Sequence, residues 1–455
     1  MHTQSPTAPP TSELHQIFGA RFVTEGPELD RVSRDESRYQ PQGIALGAVF
    51  PETTAEVCVA LRWANQHGVQ VSVRGTGTGL SGGALAYDHG LVLSLERMNQ
   101  IVRIDPVNRL ADVQAGVINA DLNQAAREFG LFFAPDPASA TTASIGGNIA
   151  TNAGGLRCIS HGVTRDSVAA LEVVLADGSI LHTGARTLKN VVGLDLTSLF
   201  VGSEGTLGVI TSATLRLQPI AAGTPYTFRA SFESIEAAGR AVTAIVNSVQ
   251  TPEVLELLDA RSVEIIEAYK PSSLPADGNN LLIGQFTGLQ AEAMAQDTAQ
   301  LCREYGAAEV VIAEGDSLLE ARRLANPALS AQGLRVSCDV AVPVGQLAEV
   351  FRGIDRISQN HGRTISVVAH AGDGNLHPTV EAEDTAQGYA AAELVIEDIT
   401  KLALSLGGTI SGEHGIGLVK RDQLPWQLDD TARRTHQLIK HALDPKHILT
   451  ARRGI

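Results

Sequence analysis

Five glycines fall within nine residues in Gly75-Thr76-Gly77-Thr78-Gly79-Leu80-Ser81-Gly82-Gly83, directly after the strand-like run VQVSVRG (69–75). Glycine carries no Cβ, so such a loop turns tightly and can aim several backbone N–H groups at an anion. Residues 77–82 also satisfy G-x-G-x-x-G, but a nicotinamide-binding fold needs a helix to open at that loop. Here the chain runs through Ala84-Leu85-Ala86-Tyr87 into a second apolar run, GLVLSLERM (90–98). Strand–loop–strand excludes the nicotinamide pattern. No Lys-Ser/Thr closes the loop, which excludes a triphosphate-binding P-loop. Taken alone, the segment is also compatible with a surface turn.

Two further segments narrow the reading. Pro135-Asp136-Pro137-Ala138-Ser139-Ala140-Thr141-Thr142 runs on into Ile145-Gly146-Gly147-Asn148 and Asn152-Ala153-Gly154-Gly155. Prolines fix the approach, hydroxyls offer hydrogen bonds, and paired glycines admit close backbone contact. Gly202-Ser203-Glu204-Gly205-Thr206-Leu207-Gly208 then leads into Val209-Ile210-Thr211. Three small-residue loops in one domain point to a long, folded ligand such as a dinucleotide.

Composition sets bounds. The chain has 455 residues and a formal charge of −15, with 2 Trp, 6 Tyr and 11 Phe. A nucleic-acid binder would need a basic face and stacking aromatics, so that class is excluded. No run of 18 apolar residues exists, so no membrane span is expected. The start lacks a secretory pattern, and Cys58, Cys158, Cys302 and Cys338 are widely spaced. Both features fit a cytoplasmic, reducing location. Residues 1–12 read as a loose tail and 13–220 as a cofactor domain, with a hairpin expected around Asp177-Gly178. After Pro219 longer strands alternate with amphipathic helices. That pattern predicts an α+β domain of ferredoxin-like units over 221–455, with helices on one face.

RGTGTGLSGGAL, PDPAS…GGNIATNAGG, KNVVGLDLTSLFVGSEGTLGVIT, HAGDGNLH and SGEHGIG occur in this order. The set resembles the FAD-linked oxidases of the vanillyl-alcohol oxidase/p-cresol methylhydroxylase (PCMH) fold. The D-2-hydroxy acid dehydrogenase branch is the most similar, from about residue 40 to about 445. The resemblance implies an α+β chain: a two-subdomain PCMH-type FAD-binding domain, then a substrate and metal domain with a C-terminal helical segment. FAD would be bound non-covalently by Arg74, Gly75, Thr76, Gly77, Thr78, Gly79, Ser81 and Gly82. Pro135, Asp136, Ser139, Thr142, Gly146, Gly147, Asn148, Asn152 and Gly154 would line the flavin and ribityl chain. Gly205, Val209 and Ile210 would touch the adenine side or ring edge. His161 is the nearest residue that could challenge non-covalent attachment.

His370-Ala371-Gly372-Asp373-Gly374-Asn375-Leu376-His377 brings two imidazoles back on each other across a tight turn, and Glu413 follows at a strand end. Two imidazoles and a carboxylate form an N/O ligand set with room for substrate, although two surface histidines and an unrelated acid would read the same. By resemblance, His370, His377 and Glu413 hold a divalent metal, Zn²⁺ with Mn²⁺ as the alternative, and His414 is the general base. Arg322 would bind the substrate carboxylate, with Arg323 and Arg335 as alternatives. Ser337 and Thr379 replace a lysine and an asparagine of the 2-hydroxyglutarate enzymes, which favours a monocarboxylate. The C-terminal Leu449-Thr450-Ala451-Arg452-Arg453-Gly454 departs from the family's Leu-Asn-Pro-Gly-Lys-like end.

The implied function is oxidation of a D-lactate-like or glycolate-like acid to the 2-oxo acid, with hydride transfer to FAD. The alternatives are a D-2-hydroxyglutarate dehydrogenase or the FAD subunit of a multi-subunit glycolate oxidase. Implied partners are the small hydroxy acid and an electron acceptor: a quinone, an electron-transfer flavoprotein or a cytochrome. The chain would act as a homodimer or as an oxidase-complex subunit.

Overall fold

The computed structural model describes residues 9–41, 43–271, 279–333 and 335–454. Residues 1–8 of the expected tail lie outside them, and Ser12 already opens the helix Ser12–Phe18. The fold is α+β throughout. Two compact units emerge. One comprises the described residues of Met1–Ala153, Thr164–Pro219 and His414–Ile455; the other comprises Gly154–Val163 and Ile220–Glu413.

The first unit holds two main sheets. One carries β1 (Phe22–Val23), β2 (Gly47–Val49), β3 (Val71–Arg74) and β4 (Leu91–Ser94) in the order β1-β2-β4-β3, with β2, β4 and β3 parallel. The helix Thr54–His67 covers it. Thr53 caps that helix by accepting the Glu56 N–H at 3.3 Å, and Gly68 ends it at φ +65°. The other main sheet is antiparallel, in the order β5 (Ile101–Asp105), β6 (Leu110–Gln114), β10 (Val209–Arg216), β8 (Val168–Val174) and β9 (Ile180–Gly184). The β8–β9 hairpin turns at Gly178 (φ +80°), at the expected place. A short pair, β7 (Leu131–Phe132) with β11 (Gln218–Pro219), completes the strands.

The last 42 residues, His414–Ile455, depart from the expected division at 220, because their described part folds with the first unit. Val71 of edge strand β3 donates to Ile448 O (2.7 Å) and accepts from Thr450 N–H (3.0 Å). An edge strand presents unpaired backbone groups, and this return satisfies them. Arg453 lies 4.0 Å from the Tyr87 ring centroid and donates to the carbonyls of Gly83 and Leu85.

The second unit is built on one antiparallel sheet ordered β15 (Glu309–Glu314), β12 (Tyr226–Phe232), β14 (Asn280–Phe286), β13 (Val254–Leu258), β18 (Ile365–His370), β19 (Asn375–Glu381), β16 (Arg335–Ser337), with β17 (Val340–Ala341) also on β19. Helices pack on both faces, not on one. Leu255 and Leu257 face one cluster, whereas Val254 and Leu258 face another with the helices Ala260–Tyr269 and Glu320–Ala331. Strands β13 and β14 are buried along their whole length, and a strand apolar on both sides needs cover on both. Strands β16 and β17 are separated by Cys338-Asp339, where Asp339 turns to a different task.

Candidate functional site

In the first unit, Gly75–Gly83 leaves the end of β3. Among the described residues, no N–H of residues 75–83 donates a hydrogen bond within the protein. These unclaimed amides are available to an anion. Arg74, expected to face the cofactor, does not offer its guanidinium. It is 4% exposed and donates to Val32 O (2.9 Å), Arg34 O (2.6 Å), Thr76 O (2.7 Å) and Gly75 O (3.3 Å). Its work is to shape the loop: a Cβ on Gly77, at φ +80°, would lie 2.2 Å from that guanidinium. A Cβ on Gly79 would meet nothing within 4 Å.

The second loop adjoins the first. A Cβ on Gly75 would stand 2.0 Å from Ser144 Oγ, which caps the helix Ile145–Thr151 by accepting the Gly147 N–H. Pro135 O accepts from Asn119 (2.9 Å), and the Thr142 N–H and hydroxyl both donate to Ser139 O, so the 135–142 segment is internally braced. Asn148 is buried with Nδ2 unpartnered. Gly146 has a packing role, since its Cβ would lie 2.7 Å from that of Ala115. Asn152 ends the helix at φ +52° and accepts from Arg165 N–H.

Four expected cofactor residues have other surroundings. Val209 and Ile210 are buried in β10, each in a hydrophobic cluster. Gly205 packs against Val73 and Thr450, and the N–H groups of Gly202, Glu204 and Thr206 are already bonded to protein carbonyls. Gly154 belongs to the second unit, where its Cβ would stand 3.0 Å from Glu413 Oε2.

In the second unit, the β18–β19 hairpin pairs Val368 with His377 and His370 with Asn375. Its turn requires Gly374 (φ +83°), whose Cβ would strike Val342 O at 2.0 Å. The rings of His370 and His377 lie 5.1 Å apart at 87°. His377 Nε2 is 3.2 Å and His370 Nε2 3.8 Å from Glu413 Oε1, and one ligand atom from each residue lies within 4.8 Å of the others. The spacing fits one divalent ion, and the donor set suits zinc or manganese.

Two acids orient this triad, and the sequence reading missed both. Glu256, fully buried in β13 opposite His370, accepts from His370 Nδ1 at 2.8 Å and from Arg322 Nε at 2.5 Å. An Nδ1–H donated to Glu256 leaves the Nε2 lone pair for a metal. Burial alone would disfavour a charged His370; Glu256, with Glu413 behind it, outweighs that and pushes the ring up to about 10. Burial likewise pushes Glu413 up, but His370 and His377 hold it well below the carboxylate range. Asp339 accepts the N–H groups of Gly412 (2.6 Å) and Glu413 (2.7 Å) and fixes the ligand loop. A signal for both existed: each is a lone acid within an apolar run, VLELL and CDVAV, where a buried charge needs partners.

Arg322 uses Nε for Glu256, while its two terminal nitrogens have no partner among the described residues and are not fully buried. Arg323 is exposed and pairs with Asp316. Arg335 donates through Nη2 to Glu381 (3.2 Å) and keeps Nε and Nη1 buried without a partner. Ser337 and Thr379 share a 2.9 Å hydrogen bond. His161 lies 3.8 Å from Glu253. His414 is half-buried in the first unit.

Open backbone amides on an α+β fold of this kind are what the sequence reading expects of an FAD-dependent oxidoreductase. The family comparisons agree: an FAD binding domain matches residues 45–184, and the C-terminal domain of FAD linked oxidases matches residues 226–453. The chain belongs to the FAD-linked oxidases. It is 38% identical to glycolate oxidase subunit GlcD of Bacillus subtilis, over 96% of this chain and 94% of that one. It is 38% identical to a D-lactate dehydrogenase of Archaeoglobus fulgidus, over 88% and 89%. A structure of p-cresol methylhydroxylase shares the fold at TM-score 0.79 and 16% identity, over 98% of this chain and 96% of that one. Among the described residues, no helix is long and apolar enough to cross a membrane.

Proposed function

We propose that the chain oxidises a D-2-hydroxy acid, D-lactate-like or glycolate-like, to the 2-oxo acid. The observation that carries this is the convergence of His370, His377 and Glu413 on one point in a chain that also holds an FAD cradle. The two relatives' names support it, since glycolate and D-lactate are both 2-hydroxy carboxylates.

FAD, held non-covalently through the amides of residues 75–83 and the 135–148 segment, supplies the acceptor for the Cα hydride. A divalent ion, zinc or manganese, held by His370, His377 and Glu413, would supply acidity to the substrate hydroxyl. The remaining work falls to side chains. His370, His377 and Glu413 hold the ion, with the His370 tautomer set by Glu256. Arg322 receives the substrate carboxylate on its two terminal nitrogens, a planar fork matched to that group. His414 accepts the hydroxyl proton on an imidazole nitrogen. The substrate loses a hydride and a proton, and the C–O bond becomes a carbonyl.

A second reading is favoured by the word "subunit" in the name of the Bacillus relative: the chain works within an oxidase complex that passes electrons onward to a quinone, flavoprotein or cytochrome. One anaerobic experiment separates the readings. The purified full chain, loaded with FAD and Zn²⁺, is mixed with D-lactate, glycolate, D-2-hydroxyglutarate and D-malate while flavin absorbance is followed. Stoichiometric bleaching by at least one acid is expected, and none by any would overturn the proposed activity. Bleaching without turnover on added acceptor would favour the subunit reading.

A further inference from the structure

Between Glu413 and His414 the chain passes from the second unit to the first. The stretch before that point is tied to Asp339. The stretch after it is tied to Glu204, whose Oε1 accepts the Ile416 N–H and whose Oε2 accepts the Gly417 N–H, each at 2.7 Å. Two consecutive amides on one carboxylate make a charge-assisted pair of bonds, 212 and 213 residues apart in sequence.

Glu204 itself is held with φ at +53°, a conformation uncommon for residues other than glycine, and its own N–H donates to Ala150 O at 2.8 Å. Glycines crowd its carboxylate. A Cβ on Gly415 would stand 3.0 Å from Oε1, and one on Gly83 would stand 4.0 Å from Oε2. Gly83 closes the amide loop of residues 75–83, and Gly415 follows His414. The side chain therefore holds the loop that carries the proposed base, with Gly83 nearby at the end of the 75–83 loop. Ser81 O adds a second tie, accepting from Leu418 N–H at 2.8 Å.

We propose that Glu204 is a positioning residue: it fixes the turn that follows His414 and thereby sets where the imidazole stands for proton removal. This rests on the reading of His414 as the base. A merely structural cap would hold the same turn, so the test must ask whether Glu204 acts through His414.

The first readout needs no turnover. In hydrogen exchange of the full wild-type chain, the amides of Ile416 and Gly417 are expected to be protected. Glu204→Gln, which keeps the shape but leaves one acceptor, is expected to speed exchange of at least one about 10-fold. Unprotected amides in the wild type would overturn the proposal whatever the variants do.

The second readout is single-turnover flavin reduction by the most reactive acid of the anaerobic screen. Glu204→Gln is expected to slow reduction about 10- to 100-fold with substrate half-saturation nearly unchanged. In a His414→Ala background the same substitution is expected to have no further effect, because residues acting as a unit are non-additive. Multiplicative slowing, or a wild-type rate in Glu204→Gln, would overturn the proposal while leaving the base reading intact. A normal rate in His414→Ala alone would remove the base reading and this proposal with it.

Discussion

The loop proposed for the cofactor and the triad proposed for the metal reach preorganisation by opposite means. Residues 75–83 leave their amides unclaimed, and the side chain that shapes them, Arg74, is tied to four carbonyl oxygens. The triad instead works through side chains, two of them braced by acids: Glu256 behind His370, and Asp339 on the backbone amides of the Glu413 loop. The first arrangement leaves no room for a Cβ at Gly75 or Gly77. The second tolerates no change of donor.

Loss of a ligand is the largest break in this contrast. His377→Ala is expected to lower zinc affinity by at least about 100-fold, read as metal content after dialysis, with flavin content unchanged. If flavin leaves along with the metal, the two halves are not independent.

Gly77→Ala and Gly79→Ala sharpen the cofactor side. At Gly77 the new Cβ is 2.2 Å from Arg74 at φ +80°, so a loss of roughly 1–3 kcal/mol of stability is expected together with weaker FAD binding. At Gly79 a Cβ meets nothing in the protein, so melting of the FAD-free chain should be unchanged while FAD affinity falls. Equal behaviour of the two variants in titration and melting would mean that the loop is an ordinary turn.

Glu256→Gln is expected to weaken metal binding about 10- to 100-fold without unfolding the chain, because it removes the partner that orients His370. A smaller, pH-dependent effect follows from the same pair. With the His370 pKa raised to about 10 in the metal-free fold, its stabilising contribution is complete below about pH 6.5 and is lost as pH rises through about 10. Zinc bound at this triad would take the place of that proton. Melting temperature should therefore fall across this window in chelated protein and fall less in zinc-loaded protein.

The glycine loops were legible in the sequence because close backbone approach leaves a residue-type signature. The triad was legible as histidines flanking a glycine turn, and the β18–β19 register brings those histidines together. Arg74 and Val209 were harder. A strand end beside a loop reads the same whether its side chain points at a ligand, at carbonyls or into the core. Glu256 becomes meaningful only through the pairing of β13 with β18, 114 residues away. The return of the C-terminus was hidden for a similar reason, since nothing local in Ile448-Leu449-Thr450 says that β3 is the edge it joins.

Chelation tests the central claim most directly. The FAD-loaded chain is stripped with a chelator, its flavin and metal contents are measured, and the rate of flavin reduction by the best 2-hydroxy acid is followed without oxygen. Intact flavin, a rate lowered at least about 100-fold and recovery on adding Zn²⁺ or Mn²⁺ are the outcome predicted by a metal-held substrate and an amide-held cofactor. Undiminished reduction in protein free of metal would contradict it.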